Sequence, residues 1–358
     1  MTLDSTKEIR SLEPEDADAV AALVSEPTVA RRLGNTPFDG SAGWRTRLES
    51  RDLQRSLALG AFEGEKLLGF LTLDAQPSVR QQHVARIAMA VDPTRHRSGV
   101  GSALLRAAVD AADRWLQILR IELGVQADNA PAIALYQKHG FVVEARRRAD
   151  MLLDGAPADG LWMARIRPGF VAPAAFGSPP PIPERVPRGA ITVRARLEGD
   201  APALARVHQT DSVMEGTFQL PFQSRLAWER RFAQSTPNMH VLVAELEGAL
   251  VGAAGLFPLG PNPRMRHVRT LGMSVDPSAQ GCGVGRALMG GLMTLADDYL
   301  GLTRIELEVH VDNDRARTLY ERHGFEREGT LRAFAFRRGT YVDAFLMSRV
   351  QITSAERS

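Results

Sequence analysis

Apolar positions change their spacing in a fixed order along this chain. The runs "VARIAMAV" from Val84 and "RIELGV" from Arg120 are short, apolar and rich in branched residues, and they predict strands. Between them, "SALLRAAVDAADRWL" repeats its apolar residues at three- and four-residue intervals, which predicts an amphipathic helix. Upstream, residues 9–11 read as a short strand, 14–23 as a helix and the surroundings of Trp44 as a second helix, with strands at 56–62 and 66–73. Downstream, "NAPAIALYQKHGF" opens on an Asn cap and stops at a glycine, before two last strands ending at "LWMARI".

The whole order returns 184 residues later. "IELGVQADNAPAIALYQKHGF" from Ile121 and "IELEVHVDNDRARTLYERHGF" from Ile305 agree at 12 of 21 positions. Trp44 recurs as Trp228, His83 as His267 and Asp159 as Asp343 at the same offset. A period this long marks two duplicated folded units rather than a solenoid. Between them lies "RPGFVAPAAFGSPPPIPERVPRG", whose prolines lack amide donors and resist both helix and central strand. The expected organisation is therefore a first domain at residues 1–167, a proline-rich linker at 168–188 and a second domain at 189–353. The alternation of strands and helices predicts an α/β (mixed α+β) fold, with a mixed central sheet flanked by helices in each domain.

Composition narrows the chemistry. The chain of 358 residues carries 44 Lys and Arg against 42 Asp and Glu, a formal net charge of +2, which argues against nucleic acid as its main partner. Cys282 is the only cysteine, so no internal disulfide forms and thiolate-rich metal sites are excluded. The eight histidines show no close ligand cluster, and no metal is expected. The N-terminus lacks the basic start and apolar run of a secretory signal, and no apolar stretch spans a bilayer; the expectation is a cytoplasmic protein.

Each copy places a glycine-broken turn between the fourth strand and the long helix: "VDPTRHRSGVGSAL" and "VDPSAQGCGVGRAL". Alone, such glycines make a tight turn. Here they precede helical amides that lack internal partners, at the positive end of a helix dipole, which suits a phosphate. No Gly-Lys-Ser/Thr follows, so this is not a Walker loop, and its place after the fourth strand does not fit the dinucleotide fingerprint.

The stretch from Gln280 to Gly285 resembles motif A, Gln/Arg-x-x-Gly-x-Gly/Ala, of the GCN5-related N-acetyltransferases, and "DNDRARTLYERHGF" resembles their motif B. With "HVRTLGMSVDP" and "VMEGTFQLPF", the second copy is similar to bacterial L-amino-acid N-acetyltransferases of that superfamily. The resemblance implies acetyl-CoA as co-substrate. It assigns coenzyme contacts to Gln280 and to the backbone of Gly283, Val284, Gly285, Arg286 and Ala287. Gly99, Val100, Gly101, Ser102 and Ala103 are their counterparts in copy one. Backbone near Met273 and Val275, or Met89 and Val91, would face the pantetheine and thioester, and Asn313 and Asn129 would lie near the pantetheine arm. Arg317 would approach the nucleotide phosphates.

Tyr320, and Tyr136 in copy one, are the candidate proton donors to the departing thiolate, each seven residues beyond its Asn and on a similar side of one helix. His267 is the candidate base, against the alternative of a structural histidine at a strand edge. Glu306 and Glu308 alternate with apolar residues on a strand, which usually means solvent-facing carboxylates. Cys282 lies in the turn itself, where an acetyl carrier would be misplaced. For the acceptor, Phe218 and Phe222 with Met214 would form an apolar wall. Arg337 would pair with a carboxylate, and Tyr341 and Asp343 would sit in a late hairpin beside the amine.

The copies diverge there. Arg337 becomes Leu153, Tyr341 becomes Pro157 and Gln280 becomes His96, so copy two has the fuller acceptor machinery. The expected activity is acetylation of a small amino acid or related amine by direct transfer. Alternatives are a peptide, protein or antibiotic acceptor, or a non-catalytic acyl-CoA-binding module. The expected assembly is a monomer whose fused domains mimic a dimer, or a homodimer.

Overall fold

A computed structural model describes residues 7–33, 40–52, 55–171, 189–220, 223–233, 238–260 and 262–351. Most of the proline-rich linker expected at 168–188, together with Phe222, lies outside the described residues. The chain divides into two compact units between Ala172 and Pro173, with Ala149–Leu152 grouped with the second.

The first unit runs β1 Lys7–Ser11, α1 Ala17–Ser25, α2 Pro27–Leu33, α3 Ser41–Glu49, β2 Ser56–Glu63, β3 Lys66–Ala75, β4 Val84–Val91, α4 Val100–Arg114, β5 Arg120–Gln126, α5 Ala130–Lys138, β6 Val142–Leu153 and β7 Ala156–Ile166. Its strands lie in the order β1-β2-β3-β4-β5-β7-β6. The second unit repeats this: β8 Ile191–Ala195, α6 Ala201–His208, α7 Asp211–Gly216, α8 Arg225–Ala233, β9 His240–Leu246, β10 Ala249–Pro258, β11 Val268–Val275, α9 Val284–Thr294, β12 Arg304–His310, α10 Asp314–Glu321, β13 Glu326–Arg337 and β14 Thr340–Val350. Its order is β8-β9-β10-β11-β12-β14-β13.

The long helix of each unit supplies the core. Val100, Leu104, Leu105 and Ala108 of α4 pack on Leu71, Ile87 and Ile121; Val284, Leu288, Met289 and Leu292 of α9 pack on Leu256, Leu271 and Ile305. Burying one such leucine contributes about 1.5–3 kcal/mol, so this helical face holds the sheet's middle together.

One junction in each sheet is parallel, and it is short. β11 meets β12 only at Val268↔Arg304, Arg269↔Ile305 and Thr270↔Glu306, and β4 meets β5 only at Val84↔Arg120, Ala85↔Ile121 and Arg86↔Glu122. Beyond these residues β11 continues along β10 as far as Val275, and β12 continues along β14 as far as His310. The two halves of each sheet therefore part into a wedge that opens toward the glycine turn.

A buried arginine locks the closed end. The Arg304 guanidinium, fully buried, donates to Glu306 at 2.7 Å and to both Glu328 oxygens at 2.8 and 2.7 Å, and Ser348 Oγ donates to Glu328 at 2.7 Å. Arg120 repeats this with Glu122 and Glu144 at 3.1 and 2.7 Å. Burial lowers the pKa of Arg120, but the two carboxylates outweigh it and hold that pKa above the ordinary value. Glu306 is thus an internal counter-ion, against the solvent-facing reading that strand alternation suggested; its residue is buried while Glu308 is exposed.

Candidate active site

The backbone at the open end of the wedge follows from strand alternation. The His267 carbonyl faces β12, where it accepts from the Arg304 amide at 3.3 Å, whereas Asp276 turns the other way and donates to Val251 of β10. Odd-numbered residues therefore direct their amides and carbonyls toward the wedge, and beyond Thr270 these are Leu271, Met273 and Val275. In the first domain His83 sets the same phase, which puts Met89 and Val91 on the wedge side. A strand edge inside the sheet, with no strand paired to it, is a ready partner for an extended ligand bearing amides and carbonyls.

The glycine turn stands at the mouth. Gly283 caps α9 with φ 88°, and Gly99 caps α4 with φ 85°, in the left-handed region that a side chain would strain. Gly285 serves close packing instead: a Cβ there would lie 3.1 Å from Leu319 of α10. The first helical bond runs from Ala287 N–H to Gly283 C=O at 3.0 Å, so the amides of Gly283, Val284, Gly285 and Arg286 precede the ladder. Ala287, expected among the phosphate donors, has its amide engaged in the helix. Ala103 is engaged in the same way with Gly99, leaving Val100, Gly101 and Ser102 at the start of α4. Cys282 is buried within the turn.

Gln280 bridges the mouth. Its Nε2 donates to the Val275 carbonyl at 2.9 Å, and its Oε1 accepts from Arg315 of α10 at 2.7 Å. The first domain carries His96 and Pro131 at these positions and cannot build the bridge. Arg317 pairs along its own helix with Asp314 at 2.9 Å.

Asn313 is the N-cap of α10: its Oδ1 accepts from Ala316 N–H at 3.2 Å, as Asn129 does from Ala132 at 3.4 Å. Its Nδ2 points at Gly216 of α7, where an added Cβ would stand 3.8 Å away. Seven residues on, Tyr320 is buried with its ring 5.9 Å from Phe325, and Tyr136 matches it at 5.8 Å from Phe141. Burial pushes both phenols up to about 12. Each stays protonated throughout the neutral range, as a proton donor must.

The other candidates divide between the two ends of the wedge. His267 precedes β11 at the paired, closed end, eight residues before Val275 at the mouth. Phe218 packs its ring on Phe334 at 5.6 Å, and Tyr341 packs on Phe336 at 5.2 Å, so aromatic surface does gather at the β13–β14 hairpin. Asp343 Oδ1 accepts from Ala333 N–H at 2.8 Å and so holds a left-handed kink, φ 48°, in β13. Arg337 is ion-paired with Asp312, and its Nη1 lies 3.4 Å from His310 Nδ1. Asp312 and His310 were missed in the sequence, although "VDN" and "ADN" place an Asp before the Asn in both copies.

A second histidine cluster belongs to the second domain alone. His208 Nδ1 lies 2.8 Å from the Leu204 carbonyl, so it carries the proton, and Nε2 accepts from Ser274 Oγ at 3.0 Å. Burial lowers its pKa, Arg231 lowers it further, and the Leu204 bond opposes them. Val24 and Ala90 occupy these positions in the first domain. Among the described residues no group of three or more His, Cys, Asp or Glu is placed to hold a metal, and no helix is long and apolar enough to cross a membrane.

Comparison with known proteins follows the repeat. The family model described as Acetyltransferase (GNAT) family matches residues 28–141 and 207–325. The L-amino acid N-acetyltransferase AaaT of Escherichia coli strain K12 is 37% identical over 161 residues, which is 45% of this chain and 98% of that protein. A mycothiol acetyltransferase of Thermomonospora curvata is 30% identical over 281 residues, 76% of this chain and 80% of its own length. Among solved structures, a GNAT-family acetyltransferase from Streptococcus pneumoniae matches at 26% identity with a TM-score of 0.42, over 45% of this chain and 98% of its own.

Proposed function

The chain belongs to the acetyltransferase (GNAT) family and is an N-acyltransferase, and on that premise we propose that its second domain acetylates a small amino acid or related amine. Acetyl-CoA is the donor, and transfer is direct within a ternary complex. The carrying observation is the wedge: a β11 edge at Met273 and Val275 with no strand beside it, ending at the amides of Gly283 to Arg286. The amides seat the diphosphate at the helix end. The strand edge aligns the extended arm and directs its thioester into the opening, where Asn313 and Tyr320 stand on α10.

In the reaction the neutral amine attacks the thioester carbonyl, so that the carbon–nitrogen bond forms first and the carbon–sulfur bond breaks afterwards. Backbone amides along the wedge stabilise the oxyanion that develops between these events. Tyr320 gives its phenolic proton to the departing thiolate. Its raised pKa keeps that proton available at neutral pH, and the ammonium of the product-forming amine returns a proton to solvent or to the phenolate. Phe218, with Phe334 behind it, offers apolar surface to the acceptor side chain.

The relative named for L-amino acids favours such an acceptor, because it matches one domain nearly end to end. A mass-resolved screen of amines with acetyl-CoA, on the intact chain and on Tyr320→Phe and Tyr136→Phe, tests the reading. Acetylated amino acids formed by the intact chain and lost with Tyr320→Phe are expected. Loss confined to Tyr136→Phe would move the activity to the first domain, and exclusive labelling of peptide N-termini would replace the acceptor class.

A further inference from the structure

The two glycine turns are followed by different side chains at the third residue of the helix. In the first domain this is Ser102 of α4, whose Oγ lies 2.8 Å from Nε2 of His139, the residue that closes α5. In the second domain position 286 is an exposed arginine, and His323, the counterpart of His139, has Nδ1 2.8 Å from the Leu319 carbonyl. A hydroxyl backed by a histidine therefore stands where the other copy has a permanent cation.

The amide of Ser102 precedes the helical ladder, and a helical side chain leans back toward the N-terminus, so this hydroxyl borders the seat proposed for the diphosphate. The hydroxyl has one proton to give. A neutral imidazole takes that proton at Nε2 in one tautomer and leaves it free in the other. An imidazolium carries protons on both nitrogens, so Nε2–H must donate to Oγ, and the hydroxyl proton turns outward to the acceptor before the helix. Protonation of His139 thus adds a charge and frees a donor at one point.

The surrounding charges make that protonation depend on an anion. Burial first, and then Arg106 on α4, Lys138 on α5 and Arg165 on β7, lower the pKa of His139; Arg165 is itself paired with Asp113 of α4 at 2.9 and 2.7 Å. His96, the other histidine of this turn, is exposed. These groups keep His139 neutral near pH 7, whereas the charges of a diphosphate beside it oppose them and raise its pKa.

Resting on the reading of the glycine turns as diphosphate seats, we propose that His139 is a positioning residue for the coenzyme in the first domain. It takes up a proton as the diphosphate docks and turns the Ser102 hydroxyl toward it, so the two domains bind acetyl-CoA with different pH dependence. By linkage, the added affinity is full below the pKa of the unliganded imidazole and is lost as pH rises through that of the liganded one.

Titration calorimetry of the intact chain with acetyl-CoA tests this. Gly283→Val leaves the first seat and Gly99→Val the second, and each variant is titrated between about pH 5.5 and about pH 8. Over that range Kd at the first seat is expected to rise about five- to tenfold relative to the second, a ratio in which the coenzyme's own phosphate titration cancels. His139→Gln, whose amide still donates to Ser102, is expected to flatten that difference, and His96→Gln to leave it in place. Equal pH dependence at the two seats overturns the proposal, as does a difference that survives His139→Gln or vanishes with His96→Gln. Absence of uptake at any pH overturns the diphosphate seats and the proposal with them. Imidazole NMR on the wild type, assigned through His139→Gln, covers a glycine variant that fails to fold. The His139 pKa is expected to rise by about one unit on saturation with acetyl-CoA, and a value that stays constant while the coenzyme binds overturns the proposal alone.

Discussion

Within each domain the closed and the open end of the wedge have fared differently since duplication. At the closed end Arg120, Glu122 and Glu144 reappear as Arg304, Glu306 and Glu328 with the same bonds. At the open end Gly216 stands where the first domain has Arg32, Arg337 where it has Leu153, His310 where it has Gln126 and Gln280 where it has His96. The reason is energetic. A buried arginine with two carboxylates tolerates no single replacement, because any one change strands a charge in a low-dielectric interior. At the mouth each ion pair has a single carboxylate, and it is supplied from a helix in one copy, Arg32 with the exposed Asp128, and from a strand in the other, Arg337 with the largely buried Asp312. The fold is held by what did not change, and what did change lies where the proposed acceptor would enter.

The sharpest break in that comparison is catalytic. Tyr320→Phe removes the proposed proton donor from the second domain, and turnover is expected to fall by about 10²–10⁴-fold, whereas Tyr136→Phe is expected to cost little on the same amine. Steady-state kinetics with product detection by mass checks both. The closed end should show the reverse, with no asymmetry. Arg304→Leu and Arg120→Leu are each expected to destabilise their own domain by about 3–5 kcal/mol, since each strands two buried carboxylates. Chemical denaturation followed by domain-resolved hydrogen exchange measures that, and a cost in only one domain would break the parallel.

Smaller still is the acid response of the second domain. His208 has a folded pKa below its unfolded value, so its contribution is present above about pH 6.5 and is lost as pH falls through the lowered value. Substituting both members of the pair as in the first domain, His208→Val with Ser274→Ala, should make the second domain less acid-sensitive. The melting midpoint of the variant relative to wild type should rise as pH drops from about 8 to about 5. A gap that stays constant with pH would remove His208 from the account. Least of all should follow from exchanging the partners of the ion pair between Glu215 and Arg338: Glu215→Arg with Arg338→Asp reproduces the polarity of the first-domain pair between Arg31 and Asp154, and the change in stability is expected within about 0.5 kcal/mol.

Much of this was legible in the chain. The repeat, the helix after each glycine turn and the Asn cap carry local signals, namely spacing, left-handed glycine and capping chemistry, and each lies where the sequence puts it. What stayed hidden depends on partners distant in sequence. Glu306 read as a solvent-facing residue because alternation records which residues share a face and says nothing of what covers that face; Arg304, two residues earlier on the same face, was the available signal. Arg337 read as a carboxylate receptor, yet Asp312 already occupies it. The bond from Asp343 to Ala333 depends on a kink in β13 that no glycine announces. Arg32 gave no sign at all, because the charge it answers lies on another element.

The central claim is that a parted sheet with helical amides at its mouth seats the coenzyme in both domains. Titration calorimetry of the intact chain with acetyl-CoA tests it most directly, repeated with Gly283→Val and Gly99→Val, which strain the two turns separately. The account predicts uptake of two equivalents per chain, with one lost in each variant. No uptake by the folded chain, or uptake indifferent to both substitutions, would contradict it.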